Sequence, residues 1–559
     1  MEERKGFGTT FGFLMAAVGS AVGLGNIWGF PNKMGANGGF TFLVIYLILA
    51  ALCGFIVMVG ELALGRKTGR GVISTYKILT KRFKWLGWLG IIAPFLILSF
   101  YCALGGYCIK YVTVNLGSLF NAGFGTGGLG GAEVFGGLLT NQGESVIYGL
   151  IFVLITLIIV MCGVSNGIEK VCSVGMPALF ILLVICIIRA CTLGGSDFTV
   201  AVLQADGSTV QQVIHSSALD GLKYMFQPGY VTSTGYYEPA KALVDGAMVG
   251  AVAGVPVVKH VTEIPNFISI LATAGGQMFF SLSLGMGIMI TYGSYTGKEI
   301  NLVRSTAMVC VFDTVVALLA GLAIFPSVAH FDPSLLGSSK GVALMFIILP
   351  QVFESMGSVG QVVSFAFFVM VDIAAITSVV SLIEVVTQFV IQKFHVHRKR
   401  AALVVACVCF VVSIPIGISL GHVAILEESS PALFGLDWLT FFDEVTNTVL
   451  MPVCALFSCI VVGWFITPKR AVAEIEAEGT HMAGWLKKVY AVMIRFVTPA
   501  LILIVEIGGL QSEIAAGNTA VIVFAYALVA LCVVAYFAFF RNRDTGTNAD
   551  EKLSGDYPV

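Results

Sequence analysis

Apolar residues fill most of the chain in long blocks, and the polar residues are gathered into short segments between them. At roughly 20 residues per bilayer crossing, the blocks predict twelve membrane-spanning helices at 10–34, 39–65, 86–115, 146–164, 170–193, 267–292, 303–328, 360–392, 399–421, 438–466, 485–510 and 518–540. Two blocks cannot be continuous helices. Gly19-Ser20-Ala21-Val22-Gly23-Leu24-Gly25-Asn26-Ile27-Trp28-Gly29-Phe30-Pro31 holds four glycines and a proline in thirteen residues, and Gln277 to Gly287 has a similar fault. A helix broken in hydrocarbon leaves peptide groups unpaired at several kcal/mol each, so it is tolerated only where it lines a cavity or binds something. Interrupted segments in corresponding halves of a chain point to a transporter binding site.

The polar segments set the topology. Arg66, Lys67, Arg70, Lys77, Lys81, Arg82 and Lys84 follow the second span, and Lys393, Arg398, Lys399 and Arg400 follow the eighth, whereas Glu427 and Glu428 lie in an opposite loop. The positive-inside rule then predicts two cytoplasmic termini. Residues 194–266 form a long extracellular loop with Asp197, Asp206, Asp220, Glu238 and Asp245, and Gly341 to Phe353 is too short to span and reads as a lid or re-entrant helix near 341–356. The expected division is a first repeat over 1–193, the extended loop 194–266, a second repeat over 267–466, and the last two spans with a cytoplasmic tail over 467–559. Five spans per repeat would invert the second copy.

Composition narrows the class. The 559 residues are 57% hydrophobic and 11% charged, and the mean hydropathy of +0.93 lies far above that of water-soluble domains. A net charge of −1 gives no reason to expect a nucleic-acid partner. Most of the thirteen cysteines, Cys53, Cys102, Cys186, Cys407 and Cys532 among them, lie within apolar runs, so no structural disulfide is expected. His395 and His397 sit in a basic loop without further ligands, which predicts no metal centre there. No Gly-x-x-x-x-Gly-Lys loop suggests ATP hydrolysis, and an enzyme is not expected. The segment Met1 to Lys5 leads into the first span without a cleavage site, so that span is expected to be retained. The lack of an Asn-x-Ser/Thr sequon and the short tails favour a bacterial inner membrane.

Four stretches together resemble the neurotransmitter:sodium symporter family, its bacterial amino-acid branch especially, over Arg4 to about Arg541. They are Gly19-x-Ala-Val-Gly-Leu-Gly-Asn-Ile-Trp-x-Phe-Pro31, Glu61-Leu-Ala-Leu-Gly-Arg66, Gln277-x-Phe-Phe-Ser-Leu-Ser-Leu-Gly285 and Ala374-x-x-Thr377-Ser378. The resemblance implies an all-α polytopic membrane protein with twelve transmembrane helices in a 5+5 inverted-repeat fold, helices one and six being broken. It also implies two sodium ions and no organic cofactor. One sodium would lie among the carbonyls of Gly19, Val22 and Ala374 and the hydroxyls of Thr377 and Ser378. The other would take the Ala21 carbonyl, Asn26, Ser281, Asp313 and the substrate carboxylate. Taken alone, Thr377 and Ser378 would more often bond back to their own helix, as hydroxyls in membrane helices do.

A small-molecule amino acid is the implied cargo. Its carboxylate would meet the Leu24 and Gly25 amides, where a helix start attracts anions, together with Tyr101, and its amine would face carbonyls of Ala21, Phe280 and Ser283 with Ser378. Ser20 lies on the same turn. Gly23 stands where monoamine carriers have Asp, which leaves room for a substrate with its own carboxylate. Ile97, Phe280, Ser283, Met286, Ser378 and Leu382 would line a side-chain pocket without acid or base, suited to a neutral, hydrophobic or aromatic L-amino acid, and glycines beside Met286 allow repacking. Tyr101 and Phe280 would close over it.

Asp313 stands where the family commonly has Asn, and Ala317 stands where chloride-dependent members place a serine. Tyr46, Gln277 and Ser281 match the rest of that chloride pocket. A fixed carboxylate predicts chloride-independent transport. The gates depart from the pattern as well. Gly29 replaces the usual outer arginine, leaving Asp443 to look to Lys33. Arg4, Phe7 and Tyr295 match the inner latch, but Gln392 replaces its acid, which predicts closure by apolar contact and hydrogen bonds. Asp372 and Glu384 are intramembrane acids without a family role, each a proton site or the partner of a neighbouring hydroxyl. Two other classes fit the same pocket: a sodium-dependent amino-acid-binding membrane receptor or leak channel, and a proton-coupled carrier. Oligomeric state is left open.

Overall fold

The computed structural model describes residues 6–540 apart from 81, 245–246, 253, 338–341, 343, 424–432 and 477–480. Arg4, Lys81, Asp245, Glu427, Glu428 and the tail from 541 lie outside the described residues. The chain begins with α1 (Thr10–Ala21) and α2 (Gly25–Ala36), a pair bent by 46° at the expected break. Thr9 starts α1 by accepting a hydrogen bond from the Gly12 amide at 2.9 Å, and extended Val22 ends it. Then come α3 (Phe40–Thr68), α4 (Leu86–Leu119), α5 (Gln142–Met161) and α6 (Val164–Cys191).

The second interrupted span is α7 (Phe267–Ser281) followed by α8 (Ile288–Gly293). Neither half could cross alone. Ser283, Gly285 and Gly287, all at positive φ, hold the break open. Left-handed backbone costs a non-glycine residue about 1–2 kcal/mol, so Ser283 has to be held in place by its surroundings. The chain continues with α9 (Leu302–Phe331), α10 (Leu344–Ser355), α11 (Gly357–Phe394), α12 (Arg398–Val423), α13 (Trp438–Ile466), α14 (Gly484–Ala515) and α15 (Thr519–Ala538). Among the described residues ten helices are long and apolar enough to cross a bilayer, and the α1–α2 pair counts as an eleventh; α7 with α8 stands where the twelfth was expected. The lid helix expected near 341–356 is α10.

The most extensive packing in the protein joins α4 to α11, and α1 lies against α6 and α11. Tyr111 stacks on Phe368 with ring centroids 4.6 Å apart. This wall is continuous apolar helix, whereas the halves that face it are broken.

The 194–266 segment, long enough to fold on its own, carries structure of its own. It folds into a five-stranded sheet in which β1 (Gly195–Leu203), β2 (Thr209–Ser217), β3 (Tyr236–Pro239) and β4 (Val255–Val261) follow the order β2-β1-β4-β3, and the short strand Ala251–Val252 pairs with β4 off that path. β1 and β2 form an antiparallel hairpin, β1 pairs in parallel with β4, and β3 is antiparallel to β4. Alternation drives it: Val200, Val202 and Val258 cluster on one face, and Ala201, Ala242 and Val257 on the other. The sheet stands at the end of the helix bundle opposite the start of α1. It is tied to the helices through the short helix Ala218–Phe226, where the Tyr224 hydroxyl donates to the Gly35 carbonyl at the outer end of α2 at 2.6 Å. Tyr224 also packs on Phe325 and Tyr236, and the Tyr236 ring fills the space that a Cβ on Gly337 would take, shortly before α10.

Candidate functional site

The two breaks face each other midway along the helices across a small cavity. Ser20, Ala21 and Gly25 line it from the first break, and Phe280, Ser283 and Met286 from the second. Ile97 and Tyr101 on α4 and Ser378 and Leu382 on α11 complete the wall. Ten of the substrate residues expected from the sequence are therefore brought together. Ile288 and Ser381 also line the cavity and were not expected.

Leu24, Gly23 and Ser281 belong to the same constellation although they do not line the cavity. The Leu24 and Gly25 N–H groups point at the Tyr101 hydroxyl oxygen. A Cβ on Gly23 would stand 2.2 Å from Ser378 Oγ and 3.6 Å from the Tyr101 hydroxyl, so only glycine lets the backbone approach α11 this closely. Tyr101 and Phe280 rings sit 6.0 Å apart at 44° above the cavity.

Asp313 on α9 is fully buried and gathers donors from three helices. Its carboxylate accepts from Asn26 Nδ2 at 2.7 Å, from Ser281 Oγ at 2.9 Å and from the Tyr46 hydroxyl at 3.2 Å. Asn26 Oδ1 in turn accepts from the Gly23 amide at 3.1 Å, which ties the carboxylate to the first break. Gln277 Nε2 donates to the Gly25 carbonyl at 2.7 Å. Tyr46, Ser281 and Gln277, the donors matched to a chloride pocket, are thus each engaged by Asp313 or by backbone.

Across α1, Ser378 Oγ lies 3.4 Å from the Gly19 carbonyl and 3.5 Å from those of Ser20 and Val22. Thr377 Oγ1 bonds back within α11, to the Ile373 carbonyl at 3.0 Å and the Ala374 carbonyl at 3.1 Å. Its lone pairs stay available, since a hydroxyl that donates can still coordinate, and its Cβ lies against Gly19. Thr377 and Ser378 thus face the stretch Gly19–Val22.

The inner side corrects the expectation of closure without ions. Glu384 on α11 is fully buried and accepts from Arg398 Nη1 at 3.0 Å, from the Tyr295 hydroxyl at 2.5 Å and from Gln388 Nε2 at 3.1 Å; Arg398 Nη2 bonds its second oxygen. Glu384 is therefore a partner of Tyr295 and of a cation. Phe7 packs on Tyr292 and Tyr295 edge to face, while Gln392 accepts from Ser74 Oγ at 3.0 Å. The N-terminal segment is pinned by Glu169, whose carboxylate accepts from the Gly8 amide at 2.7 Å and the Thr9 hydroxyl at 2.9 Å. At the outer side Asp443 accepts from Asn447 Nδ2 at 2.6 Å; Lys33 is near enough for its charge to act on Asp443 and Glu444, without an ion pair among the described residues.

Three residues given no part in the site by the sequence hold the backbone at or beside the broken spans. Glu61 Oε1 accepts the Gly285 amide at 3.1 Å, filling a backbone donor freed in the second break. Arg66 Nη1 donates to the Ile300 carbonyl at 2.8 Å, and Glu169 anchors the approach to α1. Glu61 and Arg66 bound one of the four recognised stretches, which was the available signal. Nothing local marks Glu169, whose partners are about 160 residues away. Asp372 Oδ1 is buried without a hydrogen-bond partner.

Comparisons with known proteins converge on one family. The sequence model of the sodium:neurotransmitter symporter family matches residues 4–120 and 243–541. An uncharacterized sodium-dependent transporter of Bacillus subtilis is 31% identical over 513 residues, covering 90% of this chain and 98% of that protein. A sodium-dependent nutrient amino acid transporter 1 of Drosophila grimshawi is 23% identical over 508 residues, covering 85% and 72%. Among solved structures, the crystal structure of MhsT in complex with L-phenylalanine aligns with a TM-score of 0.72 at 31% identity, covering 90% of this chain and 100% of that one.

Proposed function

The chain belongs to the sodium:neurotransmitter symporter family and is a multi-pass, sodium-coupled membrane transporter, and we propose that it moves a neutral, hydrophobic or aromatic L-amino acid by alternating access. The observation that carries this is the cavity itself: free backbone at two helix breaks, Tyr101 and Phe280 above it, and a wall without acid or base. The phenylalanine complex of the similar structure supports a substrate of that class.

In this reading the substrate carboxylate binds the Leu24 and Gly25 amides and Tyr101, and its amine binds carbonyls of Ala21, Phe280 and Ser283. One sodium lies among Gly19, Val22, Ala374, Thr377 and Ser378, and a second among Ala21, Asn26, Ser281 and Asp313. Sodium between α1 and α11 joins a moving half-helix to the fixed wall. Coupling then requires only that the ion bind the outward-facing and inward-facing states with different affinity. Because Asp313 already engages Tyr46 and Ser281 of the chloride pocket and Gln277 is bonded to the Gly25 carbonyl, transport is chloride-independent. Spans one to five and six to ten form the inverted repeats, and both termini are cytoplasmic in a bacterial inner membrane.

The test is uptake into proteoliposomes under an inward sodium gradient. Accumulation of a labelled amino acid above its external concentration is expected, and binding without accumulation would favour a receptor. Thr377→Ala with Ser378→Ala should weaken the sodium dependence of uptake at least tenfold, the worth of about 1.4 kcal/mol. Sodium dependence untouched by that double substitution would favour a proton-driven carrier.

A further inference from the structure

The cavity wall contains three hydroxyls that the binding scheme above leaves without a task. Ser20, Ser283 and Ser381 are all buried and all line the cavity. Ser381 Oγ lies 2.6 Å from the Ser378 carbonyl, and Ser283 Oγ lies 2.9 Å from the Ser20 carbonyl. A carbonyl only accepts, so both hydroxyls must donate there. Ser20 Oγ sits between the other two, 2.9 Å from Ser381 Oγ and 3.2 Å from Ser283 Oγ, and must give its proton to one of them. Every hydroxyl proton in the cluster is therefore committed to a neighbour within it, while most of the lone pairs are not. These three hydroxyls therefore offer the cavity acceptors and no free proton, the donors of the wall being the Tyr101 and Ser378 hydroxyls, with the Tyr292 hydroxyl beside Ser381.

The cluster also has a defined place. Ser20 precedes the Leu24–Gly25 turn on a helix that runs outward, and Ser381 follows Ser378 on one that runs inward. The hydroxyls thus line the inner end of the cavity, about one helical turn from the end formed by Gly25 and Tyr101. Ile97, Met286 and Leu382 supply the apolar stretch of the same wall.

We propose that Ser20, Ser283 and Ser381 form an acceptor wall that selects an aromatic side chain bearing an N–H or O–H at its far end, an indole or a phenol, over a plain phenyl or aliphatic one. The inference rests on the amino-acid reading of the cavity, with the carboxylate at Leu24 and Gly25. A phenol hydroxyl or indole N–H buried in a purely aliphatic pocket would lose its hydrogen bond to water without replacement. Here it finds an oxygen. Phenylalanine has nothing to offer these lone pairs, so its affinity does not draw on them.

The test is calorimetric titration of the full-length protein in sodium with L-tyrosine, L-tryptophan, L-phenylalanine and L-leucine, repeated for Ser381→Ala and, separately, Ser20→Ala. One hydrogen bond should favour tyrosine over phenylalanine by about tenfold in the parent protein, and the ratio should fall towards one in each variant. Because the ratio is taken within one protein, a partly unfolded variant cannot mimic the result. Equal affinity for tyrosine and phenylalanine in the parent protein, or a ratio unchanged in both variants, overturns the acceptor wall while leaving the transporter reading in place. Loss of both ligands by the same factor marks the hydroxyls as amine or packing contacts and overturns it as well. If none of the four amino acids binds in sodium, the underlying amino-acid reading itself has failed.

Discussion

Replacing Glu384 with alanine is expected to cost the folded protein about 3–5 kcal/mol, the usual consequence of removing one partner from a buried ion pair. Glu384 is fully buried, and its partner Arg398 is mostly covered, so the stranded guanidinium has little access to water. Tyr295 and Gln388 lose their acceptor at the same time. Glu384→Gln should cost less, because an amide oxygen still accepts from Tyr295 and only the charge is lost. Thermal unfolding in detergent, with both variants side by side, measures the difference. A functional effect should accompany it, since Tyr295 follows α8 and Glu384 ties the moving half of the broken span to the wall at the inner side. Uptake in liposomes should fall further than the change in folded fraction explains. A melting temperature unmoved in Glu384→Ala would show that the pair holds nothing together.

Asp313→Ala is expected to reduce sodium-driven uptake to background. Ser281 and Tyr46 would lose the carboxylate that holds them, while Asn26 would keep only the Asp313 backbone carbonyl, and each buried donor left unpaired costs about 1–3 kcal/mol. The proposed second sodium would lose its only fixed negative charge. The paired substitution Asp313→Asn with Ala317→Ser should restore uptake only where chloride is present, because the charge then has to come from solution. Uptake in sodium chloride against sodium gluconate separates the cases: the parent protein should not distinguish the two salts, and the paired variant should. Wild-type sodium dependence in Asp313→Ala would remove Asp313 from the ion site.

The binding cavity was legible in the sequence because glycine and proline interrupt apolar blocks that would otherwise be plain spans, and because the interrupted segments resemble a known family. Residues on those segments, such as Asn26 and Ser283, and on the facing helices, such as Tyr101 and Ser378, fell where the motifs put them. Ser381 did not, since a serine one turn beyond a recognised motif looks like any other small residue in a membrane helix. The Glu384–Arg398–Tyr295 cluster was hidden for a different reason. Its members lie on three elements, and only the path of the chain brings them together; the acid could be marked as unusual but not paired. The sheet had a local signal, the alternation from Phe198 to Val202. Its parallel β1–β4 pairing joins strands more than fifty residues apart, which no local pattern announces. Helix ends shifted by a few residues, as with α5, which starts at Gln142 rather than 146.

The attachment of the sheet to Gly35 and Gly337 gives the molecule an external handle on its own machinery. If the half of the first broken span that ends at Gly35 swings, Tyr224 must either follow the Gly35 carbonyl, carrying β2 with it, or release it and leave the hydroxyl without that acceptor. Val213, 63% exposed on that strand, is far enough from the cavity that a fluorophore placed there would broadcast each turnover like an aerial, leaving the cargo undisturbed.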